Sequence, residues 1–387
     1  MDEFEDIRPY RDDEVRPVVE RLMVDDALAQ AMAKFEHPIL FRLLPGWVTG
    51  KVKSLLGKEL APVQNIHDVQ LIIEKYLDRL IESTTTGLTQ TGLDQLDDSQ
   101  PYLFVSNHRD ITMDPALVNY MIYHHGLDTL QIAIGDNLLK RPFLSDLMRL
   151  NKSFIVKRSM HGRDLLKASK QLSAYIHHCI KEGENVWIAQ REGRAKDGID
   201  KTETAIIKML HMADRESTLR LTLQESINSL NIVPVSISYE FDPCDRLKAE
   251  ELYTIDTAGK YEKDENADVR SILNGMVGHK GDVHVTFGTR IILDDAVTAE
   301  GVARLIDEQV ICNYKLHAVN FAAMEIVKKD FMDFTKAPEK LGISASEYKR
   351  RSKVFNKRLS AMPKHLQPYV LNMYANPVIR KAELDAL

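Results

Sequence analysis

The sequence predicts an α/β protein: a mixed, largely buried sheet flanked by helices, with helical extensions at its N-terminal and C-terminal ends. Two observations carry that reading. Across 86–297, short apolar runs alternate with stretches of helical periodicity, the pattern of strands and helices packed in layers. On either side, apolar residues recur mainly at helical spacing. The expected organisation is an N-terminal helical region at 1–85, an α/β domain at 86–297 and a C-terminal helical region at 298–387. With 387 residues, 44% hydrophobic and 28% charged, the chain has the composition of a folded globular protein, which excludes disorder as its main state.

Residues 13–36 predict a helix, because Val15, Val18, Val19, Leu22 and Leu28 fall near helical spacing. The next stretch, 37-HPILFRLLPGWVTGKVKSLLGKEL-60, is apolar and basic with no acid before Glu59. It reads equally as a core helix broken at Pro45-Gly46 or as a segment lying on a bilayer, apolar side down and Lys and Arg up. Another amphipathic helix is expected at 66–84. Strands are expected at 102–106, 129–133, 153–157, 185–189, 231–238 and 282–288, and helices near 113–124, 161–181, 203–212 and 218–229. Residues 255–280 are polar, with Gly259 and a run of acids, and are expected as a loop. Beyond 298 the pattern is helical, interrupted near Pro338, Gly342, Pro363 and Pro368. No internal repeat or low-complexity segment is present.

The formal net charge of −6 gives no reason to expect nucleic acid as a partner. Basic residues do cluster late in the chain, at Lys349, Arg350, Arg351, Lys353, Lys357 and Arg358. That cluster is either a self-solvating helix face or a contact with an anionic surface. Cys179, Cys244 and Cys312 lie far apart without Cys-x-x-Cys spacing, which argues against a zinc knuckle or a disulfide framework and suits a reducing cytoplasm. The N-terminal MDEFEDIRPYRDDEV is acidic where a signal peptide would be basic and then apolar. No run of about 18 apolar residues occurs, so no transmembrane helix is expected. The expected location is cytoplasmic, with peripheral attachment to the inner face of the cell membrane as the form a surface contact would take.

The chemistry concentrates in 103-LFVSNHRDITMDPALV-118, where an apolar strand empties into Asn, His, Arg and Asp, with a second Asp at 114. His-Arg-Asp also opens a kinase catalytic loop, but such a loop needs an Asn five residues after the Asp to hold metal, and position 115 is Pro. No Gly-rich phosphate loop or Asp-Phe-Gly is present either. The other reading takes His108 as a general base and Asp114 as the carboxylate that orients it. No Gly-x-Ser-x-Gly elbow or neighbouring Cys supplies a nucleophile, so the substrate's own hydroxyl would attack. Two more strands end in cations. One is 153-SFIVKRS-159, with Lys157 and Arg158; the other is 186-VWIAQREGRAKDG-198, with Arg191, Glu192, Gly193 and Arg194. Guanidinium groups beside a glycine suit a phosphate, which they grip in a bidentate fork.

Taken in order, Asn107-His108-Arg109 with Asp114, then Phe154 to Ser159, then Glu192-Gly193-Arg194, then Ile232-Val233-Pro234-Val235, resemble the four blocks of the glycerolipid acyltransferase family. That family includes glycerol-3-phosphate and 1-acylglycerol-3-phosphate acyltransferases, and the resemblance covers about 85–240. It implies that His108 is the base and Asp114 its partner. It further implies that Arg109, Lys157, Arg158, Glu192, Gly193 and Arg194 hold the phosphate or glycerol part of the acceptor, and that Pro234 lies in the block beside the acyl donor. The Arg directly after the His is more like the glycerol-3-phosphate branch. Two departures stand out. Five residues separate His108 from Asp114 where the family has four, leaving Asp110 as an alternative partner. The third block is one residue short before Arg194.

The function implied is transfer of a fatty acyl group from acyl-CoA or acyl carrier protein to a hydroxyl of glycerol-3-phosphate or lysophosphatidate, as part of phospholipid biosynthesis. No metal and no bound cofactor is expected. The partners implied are the acyl donor, the phosphorylated glycerol or lysolipid acceptor and an anionic membrane surface. Two other functions fit the same residues: a non-catalytic peripheral lipid-binding protein of this fold, and a thioesterase that uses water as acceptor.

Overall fold

The computed structural model describes residues 3–215, 218–264 and 266–385 and divides the chain into two compact units, Met1–Leu77 with Gln131–Tyr175, and Asp78–Leu130 with Ile176–Leu387.

In the first unit, the expected helix at 13–36 is two helices, Asp12–Val24 and Asp26–Glu36. Asp25 makes the break, its side chain accepting the Leu28 amide at 2.8 Å and capping the second helix. Pro38–Leu43 and Pro45–Leu60 each start on proline, whose missing N–H costs nothing in a first turn. The core gathers Val15, Val18, Val19, Leu22, Leu56 and Val69 with Phe143 and Leu150. Strands β3 (Gln131–Gly135) and β4 (Ser153–Val156) pair in parallel. The segment 37–60 has two faces: Val48, Val52 and Leu56 are buried, while Ile39, Leu43, Leu44, Trp47 and Leu55 are exposed.

In the second unit, β1 (Thr85–Thr91), β2 (Leu103–Ser106), β5 (Val186–Ala189), β6 (Ile232–Tyr239) and β7 (Gly281–Phe287) lie in the order β1-β7-β6-β2-β5. Only β6 and β7 pair antiparallel, so the sheet is mixed, as expected. Every residue of β2 and β6 is buried, which is why these strands read as largely apolar, with only the small Ser106, Ser236 and Ser238 among the apolar residues. Pro234 tolerates this central strand because β7 ends at Phe287. There Pro234 has no ladder N–H to give, and its carbonyl accepts the Gly288 amide at 2.8 Å.

The expected loop at 255–280 is instead the end of one helix, Asp245–Ala258, followed by another, Ala267–Val277. Gly259 caps the first in the left-handed region, φ 76°. Of the acids that suggested a loop, Glu262 and Asp264 lie between these helices and Asp268 in the first turn of the second, while residue 265 lies outside the described residues. The helix expected at 203–212 is shorter, Thr204–Leu210, and that at 218–229 starts only at Leu223, where Thr222 and Glu225 form a capping box. β1 was not expected. The late helices Ala345–Ser360 and Gln367–Glu383 share a core with Phe241 and Ala249 through Phe355, Leu359, Val370 and Tyr374. Among the described residues, no helix is long and apolar enough to cross a membrane.

Candidate active site

β2 delivers Asn107 and His108 at its C-terminal end, where α/β sheets gather reactive groups. The chain then turns into the helix Met113–His124. His108 Nδ1 lies 3.0 Å from Asp114 Oδ2, with the Asp114 side chain fully buried. The same oxygen accepts the backbone amides of Arg109 at 2.6 Å and Asp110 at 2.8 Å. The other, Oδ1, accepts the Tyr239 hydroxyl at 2.7 Å. A carboxylate bound on both oxygens is held in one orientation, and the imidazole is fixed with Nδ1 toward it. Nε2 is then left without a protein partner among the described residues. Trp187 borders the ring edge-on, centroids 6.2 Å apart.

Asp110, the other carboxylate in reach, does a different job. Its Oδ1 accepts the amides of Thr112 at 2.9 Å and Met113 at 2.8 Å and so starts the helix. Burial, and after it the charge of Asp114, pushes the Asp110 carboxyl above the usual carboxylate range. Gly275 makes this packing possible, since a Cβ there would fall 2.1 Å from Asp110 Oδ2. Burial, followed by the Asp114 charge, likewise pushes the Tyr239 hydroxyl well above 10, so it donates to Asp114 as a neutral phenol.

The turn is tied at each peptide. The Asn107 amide donates to the Val235 carbonyl at 3.3 Å, and the His108 carbonyl accepts the Ala195 amide at 2.8 Å. Lys248 Nζ donates to the Arg109 carbonyl at 2.6 Å. The Asn107 side chain extends β6 where β2 stops, accepting the Ile237 amide at 2.8 Å and donating to its carbonyl at 3.0 Å.

The sequence reading puts Arg109 with the acceptor, but its guanidinium is committed elsewhere. It is buried, bonds Asp200 Oδ2 at 2.6 Å and Gly198 O at 3.2 Å, and stacks over Tyr314. The physical reason is the buried Asp200 carboxylate, which needs a cation. Glu192 is exposed, and Gly193 takes φ 73°, a left-handed turn that glycine enters without strain. Arg194 reaches Ser271 Oγ at 3.3 Å and lines a small pocket with Lys248, Glu251, Tyr261 and Arg270. Pro234 is buried in β6 opposite Val105 of β2. Lys157 and Arg158 belong to the first unit. Lys157 is paired there with Asp6, while Arg158 is exposed, its backbone amide donating to Asp136 at 3.1 Å. The sequence reading missed Tyr239, Asp200 and Lys248. Only Tyr239 carried a signal, as a phenol at the end of an apolar strand, where a buried hydroxyl needs a partner.

Residues 87–238 match the family model described as Acyltransferase. Over 205 residues the chain is 28% identical to the glycerol-3-phosphate acyltransferase of Pseudoalteromonas atlantica, covering 46% of this chain and 23% of that protein. Residues 87–238 thus carry an acyltransferase domain, similar to that of glycerol-3-phosphate acyltransferases. The protein of the same name from Pasteurella multocida is 26% identical over 252 residues, 64% of this chain and 29% of its own length. The chain thus spans less than a third of the length of these curated relatives. The crystal structure of the 1-acyl-sn-glycerophosphate acyltransferase from Thermotoga maritima aligns with a TM-score of 0.39 and 14% identity, over 74% of this chain and 92% of that one. The acyltransferase domain model therefore covers the His108 turn, Arg194 and Pro234, and stops before Lys248 and the late helices.

Proposed function

We propose that the protein transfers an acyl group from a thioester, acyl-CoA or acyl carrier protein, to a hydroxyl of a glycerophosphate acceptor, with His108 as general base. The observation that carries this is the 3.0 Å approach of His108 Nδ1 to a doubly anchored Asp114, with Nε2 left unpartnered. Nε2 takes the proton of the acceptor hydroxyl as its oxygen attacks the thioester carbonyl carbon. The tetrahedral intermediate collapses, the C–S bond breaks, and the thiolate receives the proton from the imidazolium, giving an ester and a free thiol. General-base help of this kind contributes about 10²- to 10⁴-fold in rate.

Glycerol-3-phosphate or lysophosphatidate is the proposed acceptor; the similarity to glycerol-3-phosphate acyltransferases supports the first. Arg194 is proposed to hold the acceptor's phosphate, with Glu192 and Gly193 in the same loop. Pro234 is proposed to lie beside the donor. Arg109 is proposed as a positioning residue that acts through Asp200. The exposed apolar and basic face of 38–60 is proposed to rest on an anionic bilayer, from which a lipid product or acceptor is exchanged.

The deciding experiment follows thiol release from palmitoyl-CoA and from acylated carrier protein, with and without glycerol-3-phosphate or lysophosphatidate. Release that needs acceptor and vanishes in His108→Ala is expected. Release into water alone means a thioesterase, and none with any pair means a lipid-binding protein.

A further inference from the structure

The late helices lie outside the acyltransferase domain model, yet they reach the catalytic turn through a chain of buried polar contacts. Tyr374, on Gln367–Glu383, accepts the Asp242 amide at 2.9 Å and donates to Asp245 Oδ2 at 3.0 Å. Arg358, on Ala345–Ser360, grips the Asp245 carboxylate with two nitrogens, at 2.7 and 2.9 Å, and donates to the Asp242 carbonyl at 3.1 Å. Asp242 in turn pairs closely with the ammonium of Lys248, whose side chain is 1% exposed. That ammonium donates to the Arg109 carbonyl at 2.6 Å, one residue after His108. A second contact runs in parallel. Asn376 donates to the Asp197 carbonyl at 2.7 Å, and Gly198, φ 80°, lies so close that a Cβ would fall 2.1 Å from the Met373 carbonyl.

The energetics favour a fixed arrangement. A buried ammonium without its carboxylate, or a buried carboxylate without its amide, costs more than the bond gains, so each member constrains the next. Of the ties on the His108 turn, the amides of Arg109 and Asp110 are held by Asp114 itself. The Arg109 carbonyl is the point where an outside charge acts.

We infer that Lys248 is a positioning residue for His108 and that the two late helices hold it in place through Tyr374, Arg358 and Asp242, so that these helices form part of the catalytic apparatus. A turn free to rotate about the Arg109 peptide would let the imidazole leave Asp114, and misplacement of about 1 Å costs about 10²-fold in rate. The inference rests on the proposed acyl transfer for its kinetic arm only.

The test uses the full chain carrying Tyr374→Phe, and separately Lys248→Met with Asp242→Asn, which removes both charges of the buried pair. Steady-state thiol release is read beside the ¹⁵N signals of the His108 ring in histidine-labelled protein, assigned by their loss in His108→Gln. The expected result for Tyr374→Phe is kcat lower by about fivefold. The double variant is expected to lose about 10- to 100-fold in kcat. KM for the donor should stay within about twofold in each case, as should KM for the acceptor in Tyr374→Phe, and the ring nitrogens should move from a single Nδ1–H tautomer to a mixture. Folded variants that keep both kcat and the wild-type tautomer overturn the inference, as does a loss confined to melting temperature. If the double variant does not fold, Tyr374→Phe decides alone. If the wild-type protein releases no thiol, the functional proposal fails, and the ring signals still decide whether Lys248 positions His108.

Discussion

Asp114 Oδ2 lies 3.0 Å from His108 Nδ1 while taking two backbone amides from the residues between them. The carboxylate therefore fixes the ring and the loop that carries it at once. Asp114→Asn keeps the volume but replaces an acceptor with an amide that can donate to Nδ1, favouring the wrong tautomer with the proton on Nε2. We expect kcat to fall by at least about 10²-fold with KM changed little, the pattern of a base held in the wrong protonation pattern. Steady-state thiol release measures it. A loss confined to KM would remove Asp114 from the mechanism.

Two arginines of the expected site should fail in different ways. Arg194 opens on a pocket with Lys248 and Tyr261, so Arg194→Ala is expected to raise KM for a phosphorylated acceptor well above any change in KM for the donor. Arg109→Met leaves Asp200 buried without its cation and is expected to cost about 3–5 kcal/mol of stability. Urea unfolding beside initial-rate kinetics separates them. An Arg109 variant of wild-type stability with a raised acceptor KM would return Arg109 to the acceptor site.

Most of the sheet was legible because its strands are apolar and buried. β1, Thr85–Thr91, was not: it reads TTGLTQT, and its strand identity comes from pairing along β7, which propensity cannot see. The meeting of His108 with an acid was legible from the strand end, but the choice between Asp110 and Asp114 was not. It turns on where the helix begins, and Asp110 starts that helix with one oxygen at two amides, leaving Asp114 inside the first turn to face back. Lys248 had no signature at all. Its partner at the site is a backbone carbonyl 139 residues away, which any residue would supply.

Acid should destabilise the second unit through two buried histidines. Burial, with a smaller push from Lys315, lowers His284 to about 4. Burial lowers His317 to about 3, at the N-cap of the helix Ala318–Val327, where its backbone carbonyl accepts the Asn320 amide at 3.0 Å. Both folded values lie below the ordinary 6.5, so the unfolded chain binds these protons first. Their contribution to stability is full above about pH 6.5 and drains away as pH falls toward 4 and then 3. Urea titrations between pH 7.5 and 4.5 should show a shallower decline in a variant carrying His284→Asn and His317→Asn, whose amides do not titrate. Equal slopes would mean that these rings bind protons as readily in the folded as in the unfolded state.

The face of Pro38–Leu43 and Pro45–Leu60 gives the last prediction. Leu43 is 69% and Trp47 60% exposed, near Arg42 and Lys51, and Lys51 lies over the Trp47 ring at 5.3 Å. Burying a leucine-sized side chain in an apolar phase stabilises by about 1.5–3 kcal/mol. Each cation near an anionic surface adds about 1 kcal/mol. We expect the protein to sediment with phosphatidylcholine vesicles containing anionic lipid, less with neutral vesicles, and less again at high salt. Leu43→Glu with Trp47→Glu should cut the vesicle partition coefficient by about 10²-fold or more, since it removes two apolar anchors and adds two charges of the repelled sign. Thermal melting should be little changed, because both side chains already face solvent. Partition that survives both substitutions would move membrane contact away from this face, to the basic cluster of Ala345–Ser360 as the next surface to test.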